Sequence, residues 1–230
     1  MLQQLPLTDP AVCPPLTPEA AFLTDDSAAI LRFAAEAFNA GRAVALVTLV
    51  EIRGGAARPL GAQMAVRDDG MYCGFVSGGC VESAAAHEAL EVIASGTDRT
   101  VRYGEGSPWF DIVLPCGGGI TLSIHKLRSA QPLEAVLEAS SLRQAVSLRY
   151  CPASQTLTCV PPTHATGWHD AAFDVCYRPC TRVIVYGRSL EADATARVAR
   201  AAGYDVHTSD SFNPRISFAL MDAHTAVILL

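Results

Sequence analysis

Residues 76–82 read Val-Ser-Gly-Gly-Cys-Val-Glu and stand where an apolar, strand-like run gives way to a helical one. The two glycines permit a sharp turn, and they let a ligand approach the backbone amides because no Cβ is in the way. Apolar residues then recur at helical spacing, which predicts a helix that starts near Cys80 and ends near Gly96. Free N–H groups and the macrodipole at a helix N-terminus attract anions and favour the thiolate form of cysteine. The segment therefore predicts a glycine-lined anion site that carries a reactive thiol.

A second segment repeats this chemistry at residues 114–120, which read Leu-Pro-Cys-Gly-Gly-Gly-Ile. We therefore expect the sulfur atoms of Cys80 and Cys116 to meet across one concavity lined with bare main chain. The ligand-binding residues predicted on this basis are Gly78, Gly79, Cys80, Glu82, Cys116, Gly117, Gly118 and Gly119, together with Gln63 on a nearby strand. Each has a structural alternative: a buried cysteine, an ordinary glycine turn, a helix-capping role for Glu82, or one face of a strand for Gln63.

Composition and charge exclude several classes of protein. The formal charge is −6 and the basic residues are scattered, whereas nucleic-acid binding needs a concentrated basic face. The chain has no apolar run of about eighteen residues that could span a membrane. Its start lacks the charged and apolar regions of a secretory signal, so we expect a cytoplasmic protein. Several prolines near the start predict an extended arm over residues 1–24.

The cysteine count leaves a second class of function open. Eight cysteines is a high number for a cytoplasmic chain, and none stands in a Cys-x-x-Cys pair. Cys176 and Cys180 have a spacing that zinc tolerates, so a thiol-based or metal-binding module is one alternative. His164 and His169 in a loop are too few to define a metal site, and we predict none. Arg53 and Arg58 lie in a glycine-rich loop, where they either meet a phosphate or are ordinary surface arginines.

The periodicity of the chain predicts a mixed α/β protein. Residues 43–52 form a continuous apolar run, as expected of a strand buried on both faces, and a hairpin signal lies at residues 68–70. Further strands are predicted at residues 63–67, 71–76, 100–103, 111–114 and 120–125, a short helix at 132–139, and a hairpin formed by 145–150 and 156–160. We divide the chain into the arm, a mixed α/β domain over residues 25–128, a linker with a β-hairpin over 129–180, and a last unit over 181–230.

The last unit reads as the opening of a Rossmann-type fold. A β-branched strand at residues 181–186 is followed by Gly187, an alanine-rich helix and a second strand that ends near Asp210. This order makes a nicotinamide-dependent oxidoreductase another alternative. However, Ser189 stands where a glycine would let the backbone touch a pyrophosphate, and Glu191 adds negative charge at the helix start. We therefore expect no NAD to bind.

Taken together, these residues resemble the XdhC/CoxI family of accessory factors for molybdenum hydroxylases. The resemblance covers roughly residues 28–230, and it is carried by residues 59–64, 69–70, 77–82 and 115–119 and by the strand–turn–helix from Arg182. It implies an N-terminal XdhC/CoxI domain followed by a Rossmann-like domain that is shortened in this chain. An open edge of such a partial sheet favours pairing with a second subunit, so we expect a homodimer.

The resemblance also implies a function. Members of this family bind the molybdenum cofactor, shield it while its terminal oxo ligand is replaced by sulfur, and pass it to a xanthine dehydrogenase-type hydroxylase. A cysteine desulfurase is the implied sulfur-supplying partner, and Cys80 and Cys116 are the implied contacts to molybdenum or its sulfido ligand. No residue pair here has the spacing of a general acid and base, so we expect a cofactor chaperone and not an enzyme.

Overall fold

The computed structural model describes residues 16–107, 114, 117–210 and 220–230 of the chain. Within these residues the secondary structure runs in the order β1 (Glu19–Phe22), α1 (Ser27–Asn39), β2 (Val44–Arg53), β3 (Gln63–Arg67), β4 (Met71–Gly74), α2 (Glu82–Ser95), β5 (Arg99–Gly104), β6 (Gly119–Lys126), α3 (Gln131–Ser141), β7 (Val146–Cys151), β8 (Thr156–Val160), β9 (Gly167–His169), β10 (Ala172–Tyr177), β11 (Arg182–Tyr186), α4 (Leu190–Ala201), β12 (Asp205–Ser209) and β13 (Thr225–Leu229). The predicted mixed α/β class is confirmed.

A six-stranded sheet forms the centre of the first part of the molecule. Its strand order is β1-β4-β3-β2-β6-β5, and every pairing is antiparallel except that of β1 with β4. Strand β2 is buried on both faces because its side chains alternate between two cores. Ala45, Val47 and Leu49 belong to the core on the α2 face, and Val44 and Leu46 belong to the core on the face of α1 and α3. The sheet therefore separates α2 from the other two helices.

Residues 129–180, which we predicted to be a linker with a hairpin, contain α3 and a second sheet. The predicted hairpin is strands β7 and β8, and β10 and β9 extend it to a four-stranded antiparallel sheet in the order β8-β7-β10-β9. Phe173 and Val175 of β10 pack against Val50 of β2. Asp174, which lies between these two residues in the chain, is fully buried. Its carboxylate pairs with the guanidinium of Arg149 on β7 at 2.7 Å. This sheet thus packs against the first one.

The C-terminal sheet is parallel and has the order β12-β11-β13. Helix α4 connects β11 to β12, and its buried residues Ala192 and Ala196 pack on Val183 and Val185 of β11. The first strand of the unit lies in the middle, which is the 2-1-3 order of one kind of doubly wound sheet. The predicted strand–helix–strand order is confirmed, while the assignment to a nucleotide-binding fold stays a prediction.

One arginine links the C-terminal sheet to the rest of the chain. Arg143, in the loop after α3, donates to Asp222 from Nε at 2.6 Å and to the carbonyl oxygen of Cys180 at 3.1 Å. Asp205 at the start of β12 lies 3.7 Å from the same guanidinium. None of the helices that the structure describes is both long and apolar enough to cross a membrane.

Candidate functional site at the turn before helix α2

The turn between β4 and α2 carries the thiol that the sequence singled out. Gly78 and Gly79 have φ angles of 92° and 114°, which only glycine adopts without strain. Helix α2 begins at Glu82 with Val81 as its N-cap, and no side chain of Val81 caps it. Cys80 therefore lies directly before the helix, as predicted. Cys80 is exposed, and its thiol is not part of a disulfide.

The carboxylate of Glu82 fills the inside of this turn. Oε1 accepts from the backbone N–H groups of Val76, Ser77 and Gly78 at 3.0, 2.8 and 3.1 Å. Oε2 accepts from the Ser77 hydroxyl and from the N–H of Gly79 at 2.8 Å each, and from the N–H of Val81 at 3.2 Å. Glu82 is only 2% exposed. The side chain thus reaches back from the first residue of the helix and binds the segment that precedes it.

These contacts hold Glu82 in its charged form. Burial acts to raise the pKa of the carboxyl group, but the hydrogen bonds from Ser77 and the other amides outweigh burial and lower the pKa below its usual value. The anion bound by the glycine turn is therefore the protein's own carboxylate. The expectation that the Gly78 and Gly79 amides cradle a ligand needs correction, because both N–H groups donate to Glu82. The contacts of Glu82 favour the alternative that it caps the segment before the helix, and its contact with a cofactor stays a prediction.

Ser77 completes the support of Cys80. Its hydroxyl oxygen accepts from the backbone N–H groups of Cys80 and Val81, both at 3.1 Å, while the hydroxyl donates to Glu82. The backbone of Cys80 is thereby tied to the buried carboxylate through one intervening hydroxyl. What the turn presents to solvent is the thiol and the bare main chain of the two glycines.

In the second glycine segment, two of the three glycines are needed for close packing inside the protein. A Cβ at Gly118 would lie 2.3 Å from the carbonyl oxygen of Gly55, and a Cβ at Gly119 would lie 2.3 Å from that of Glu105. Gly118 and Gly119 are buried, so the expectation that they face a ligand needs correction. Gly117 is exposed, and a Cβ there would meet none of the described residues within 4 Å.

The predicted meeting of Cys80 and Cys116 falls partly outside the described residues, because Cys116 and Pro115 are not among them. The strand predicted at residues 111–114 also lies outside them, apart from Leu114. The approach of the two sulfur atoms therefore stays a prediction.

The loop of residues 53–58 nevertheless borders both glycine segments. A Cβ at Gly54 would lie 3.4 Å from the Cα of Gly118, and a Cβ at Gly78 would lie 3.3 Å from the Cβ of Ala57. We call the exposed residues of these three segments the small-residue surface: Gly54, Gly55, Ala57, Gly78, Gly79, Cys80 and Gly117. It combines bare main chain with one thiol, so a flat or bulky ligand can approach it without meeting large side chains.

Arg53 fixes the loop and does not reach outward. Its guanidinium donates to Glu51 at 2.7 Å, to the Thr121 hydroxyl at 2.8 Å and to the carbonyl oxygen of Glu105 at 3.0 Å. These donors are thus used between neighbouring strands, which favours the structural reading of Arg53. Arg58 lies 3.3 Å from the exposed carboxylate of Asp25. A phosphate contact for Arg58 stays a prediction.

Gln63 does not lie at the turn. Its amide nitrogen donates to the Thr48 hydroxyl at 3.3 Å, and its oxygen accepts from the hydroxyl of Tyr177. It lines a cavity of about 10 Å³ between the two antiparallel sheets, whereas its neighbour Met64 belongs to the core on the α2 face. The prediction that Gln63 joins the cysteine site therefore needs correction, because adjacent strand residues point to opposite faces of the sheet.

The sequence reading missed a buried polar cluster around Asp98. This carboxylate contacts His125 Nδ1 at 2.6 Å and accepts from the Tyr150 hydroxyl at 2.8 Å and the backbone N–H of Lys126 at 3.0 Å. Burial acts to raise the pKa of Asp98, but the hydrogen bond and charge of His125 and the other bonds lower it overall. The cluster joins the turn after α2 to both antiparallel sheets. A polar His125 within the apolar run of β6 was its only sequence signal.

The turn before α4 is built differently. Ser189 caps the helix by accepting from the N–H of Ala192 at 3.2 Å. A cavity of about 260 Å³ lies beside this turn and is lined by both Asp193 and Asp210. Arg188 lies 3.5 Å from Asp210, and both side chains are largely exposed. Arg188 and Arg200 line the same cavity, so its charge does not exclude a pyrophosphate, and the expectation that NAD does not bind stays a prediction.

Two cysteines outside these turns, Cys176 and Cys180, make ordinary polar contacts. Cys176 Sγ lies 3.2 Å from the Ser147 hydroxyl and 3.1 Å from that of Thr163, and Cys180 Sγ lies 3.2 Å from the carbonyl oxygen of Gly203. Among the described residues, no group of three or more His, Cys, Asp or Glu side chains is arranged to hold a metal ion.

Comparison with known proteins gives three findings. Residues 37–104 match the model of the XdhC and CoxI family. The chain is 66% identical over 213 residues to the molybdenum cofactor insertion chaperone PaoD of Escherichia coli (strain K12), and the match covers 93% of this chain and 67% of that protein. A crystal structure described as a xanthine dehydrogenase from Bacillus halodurans aligns with a TM-score of 0.63 at 17% identity, covering 87% of this chain and 74% of that one. At that identity the likeness concerns the fold alone.

Proposed function

The chain belongs to the XdhC and CoxI family, and we propose that it is a carrier that binds the molybdenum cofactor and inserts it into a molybdenum-dependent enzyme. The observation that carries this proposal is the 66% identity to the Escherichia coli molybdenum cofactor insertion chaperone, which extends over 93% of this chain. The cofactor is cargo here, so the protein must both hold it and give it up.

The small-residue surface is the proposed place of contact. Its exposed Cys80 offers a soft sulfur ligand to molybdenum or to a sulfido group on it. The glycines around Cys80 leave room for the body of a pterin to lie against main chain. Because Glu82 already takes the Gly78 and Gly79 amides, the phosphate end of the cofactor binds elsewhere in this proposal.

The partners are proposed on the same basis. The acceptor is a xanthine dehydrogenase-type hydroxylase, and a cysteine desulfurase supplies sulfur to the cofactor while the carrier holds it. The carrier acts as a homodimer in the cytoplasm. Co-purification with the hydroxylase subunit and light scattering of the purified carrier test these points. A monomer at working concentration, or a carrier that never co-purifies with the hydroxylase, contradicts the corresponding one.

Retention of released cofactor tests the central proposal. Purified protein is mixed with molybdenum cofactor and passed through gel filtration, and cofactor in the protein fraction is measured by fluorescence after oxidation. We expect the wild type to retain cofactor, Cys80→Ser to retain much less, and Cys116→Ser to behave like Cys80→Ser. The matched control is Cys180→Ser, because Cys180 is also exposed but lies in the C-terminal part of the chain. No retention by the wild type would refute the function, and equal retention by Cys80→Ser would refute the site.

A further inference from the structure

One carboxylate organises every backbone amide of the segment that carries Cys80. The N–H groups of residues 76, 77, 78, 79 and 81 donate directly to Glu82. The N–H of Cys80 donates to the Ser77 hydroxyl, which itself donates to Glu82. No amide of this segment is therefore left for another acceptor, and none depends on a distant part of the chain.

Val76 and Val81 anchor the two ends of the segment in the core on the α2 face, but its exposed middle has little else to hold its shape. Gly78, Gly79 and Cys80 are exposed, and within the part of the chain that the structure describes a Cβ at Gly79 would meet nothing within 4 Å. Glycine loses more conformational freedom on ordering than any other residue, so two adjacent glycines in a turn make an ordered backbone costly. Convergent backbone amides form a concavity that binds an anion, and an anion at its centre stabilises their arrangement. Glu82 is the anion that the chain supplies.

We propose that Glu82 is the positioning residue of Cys80, which fixes the direction in which the thiol is presented without touching the cofactor. The inference deepens the proposed function, on which it rests for the role of the thiol. Its geometric basis does not rest on that function. Both carboxylate oxygens are saturated by six donors, and the side chain is 2% exposed, so a cofactor at the small-residue surface meets Cys80 and not Glu82.

The near-isosteric variant Glu82→Gln tests this role. Its NH₂ group replaces an acceptor oxygen and faces N–H or O–H donors, whichever way the amide is turned. We expect hydrogen exchange of the amides of residues 76–81, measured by mass spectrometry, to become at least about tenfold faster. We also expect the alkylation rate of Cys80 by iodoacetamide to change, while that of Cys180 in the same sample stays the same. Unchanged exchange at residues 76–81 would overturn the proposal.

Chemical rescue separates positioning from simple packing. Glu82→Ala removes the anion but leaves the ring of amides, so formate added to that variant should slow the exchange of residues 76–81 again and restore the alkylation rate of Cys80. Sodium chloride at the same ionic strength should do so much less. Failure of formate to rescue would indicate that Glu82 serves only to fill space. If Glu82→Ala does not fold, the Glu82→Gln result alone decides.

Cofactor retention by the wild type and by Glu82→Gln distinguishes a failure of the positioning role from a failure of the proposed function. If the wild type retains cofactor and Glu82→Gln retains less with faster local exchange, both stand. If the wild type retains none, the proposed function fails while exchange and rescue still decide the role of Glu82. If Glu82→Gln loses retention with unchanged local exchange, Glu82 touches the cofactor directly and the positioning role is wrong.

Discussion

The turn before α2 and the turn before α4 both join a strand to a helix and both contain glycine, yet the chain holds them by different means. In the first, a buried carboxylate binds the amides of residues 76–79 and 81. In the second, Ser189 caps the helix by accepting from the N–H of Ala192, and its hydroxyl donates to the carboxylate of Glu191. The acids next to it, Glu191 and Asp193, are exposed. One turn has its anion inside and the other has its anions in solvent.

The cores behind the two turns differ as well. Helix α2 packs into a large core that includes residues from most strands of the six-stranded sheet. Helix α4 buries only Ala192 and Ala196 against the C-terminal sheet. Two glycine-containing turns that look alike in sequence can therefore differ in how firmly they are held. Glu82 of α2 fixes the turn before that helix from within, and it thereby fixes the backbone of Cys80. We expect the turn before α4, which rests on a smaller core, to be held less firmly.

Among the substitutions that test the difference between the two turns, we expect Glu82→Ala to have the largest effect on stability. The change leaves several N–H donors of the turn without an acceptor, and those of Val76, Ser77 and Val81 are in buried residues, so we expect it to lower the free energy of unfolding by about 3 kcal/mol. Urea denaturation followed by circular dichroism measures the loss. The control is Glu191→Ala in the first turn of α4, whose exposed carboxylate we expect to matter little. Equal losses for the two variants would contradict the distinction between the turns.

The second largest effect is expected from a fall in pH, which protonates the buried carboxylates. Glu82 and Asp98 have pKa values lowered by folding, so their stabilisation is present above the ordinary carboxyl pKa, about 4, and is lost as the pH falls toward their folded pKa values. The wild type should therefore lose stability as the pH drops below about 5. Glu82→Gln should start less stable and lose less, because one proton-linked group is gone. Urea midpoints at pH 7, 5 and 4 measure this, and parallel curves for the two proteins would count against it.

A smaller, local effect is expected for Arg143→Ala. Arg143 holds Asp222 and the Cys180 carbonyl, and its hydrogen bond to Asp222 lowers the pKa of that carboxyl group. Its removal should loosen the C-terminal sheet while leaving the turn before α2 unchanged. We expect several-fold faster cleavage near residues 178–181 in limited proteolysis. Arg197→Ala, which breaks only an exposed pair with Asp193 on α4, is the control. Equal cleavage rates in both variants would show that Arg143 does not anchor the sheet.

The smallest effect is expected for Ser189→Ala. Loss of an N-cap side chain costs a helix about 1 kcal/mol. Because α4 rests on a small core, the loss should appear as faster amide exchange over residues 190–201. Ser141→Ala at the last turn of α3, where the hydroxyl donates to the Glu138 carbonyl, is the matched control and should change little. An effect of Ser189→Ala on residues 76–81 would mean that the two turns are coupled.

Much of the fold follows from local sequence pattern. The apolar run of β2, the helix after Cys80 and the strand–helix–strand order of the last unit were all predictable, because each depends on residues close together in the chain. The pairing of β1 with β4 and the addition of β9 and β10 to the predicted hairpin were not, since short strands carry weak periodicity. The strand at residues 120–125 was placed correctly, but its His125 gained a meaning only from Asp98 on a distant turn.

The candidate site was predictable in its place and less so in its chemistry. A glycine pair beside a cysteine indicates an anion-binding turn, but the sequence does not tell whether the anion is a ligand or a side chain three residues on. Gln63 could have been excluded, since alternation places Gln63 and Met64 on opposite faces of β3. The packing of Gly118 against Gly55 could not have been foreseen, because the residues that approach it lie far away in the chain.

The carboxylate inside the turn before α2 also shapes this turn when no ligand is bound. Domains whose loops are shaped by a bound metal unfold when the metal leaves. Here the charge that shapes the loop is covalently part of the polypeptide and cannot dissociate. Under the proposed carrier function, the cofactor can therefore bind and leave repeatedly while this turn keeps its shape.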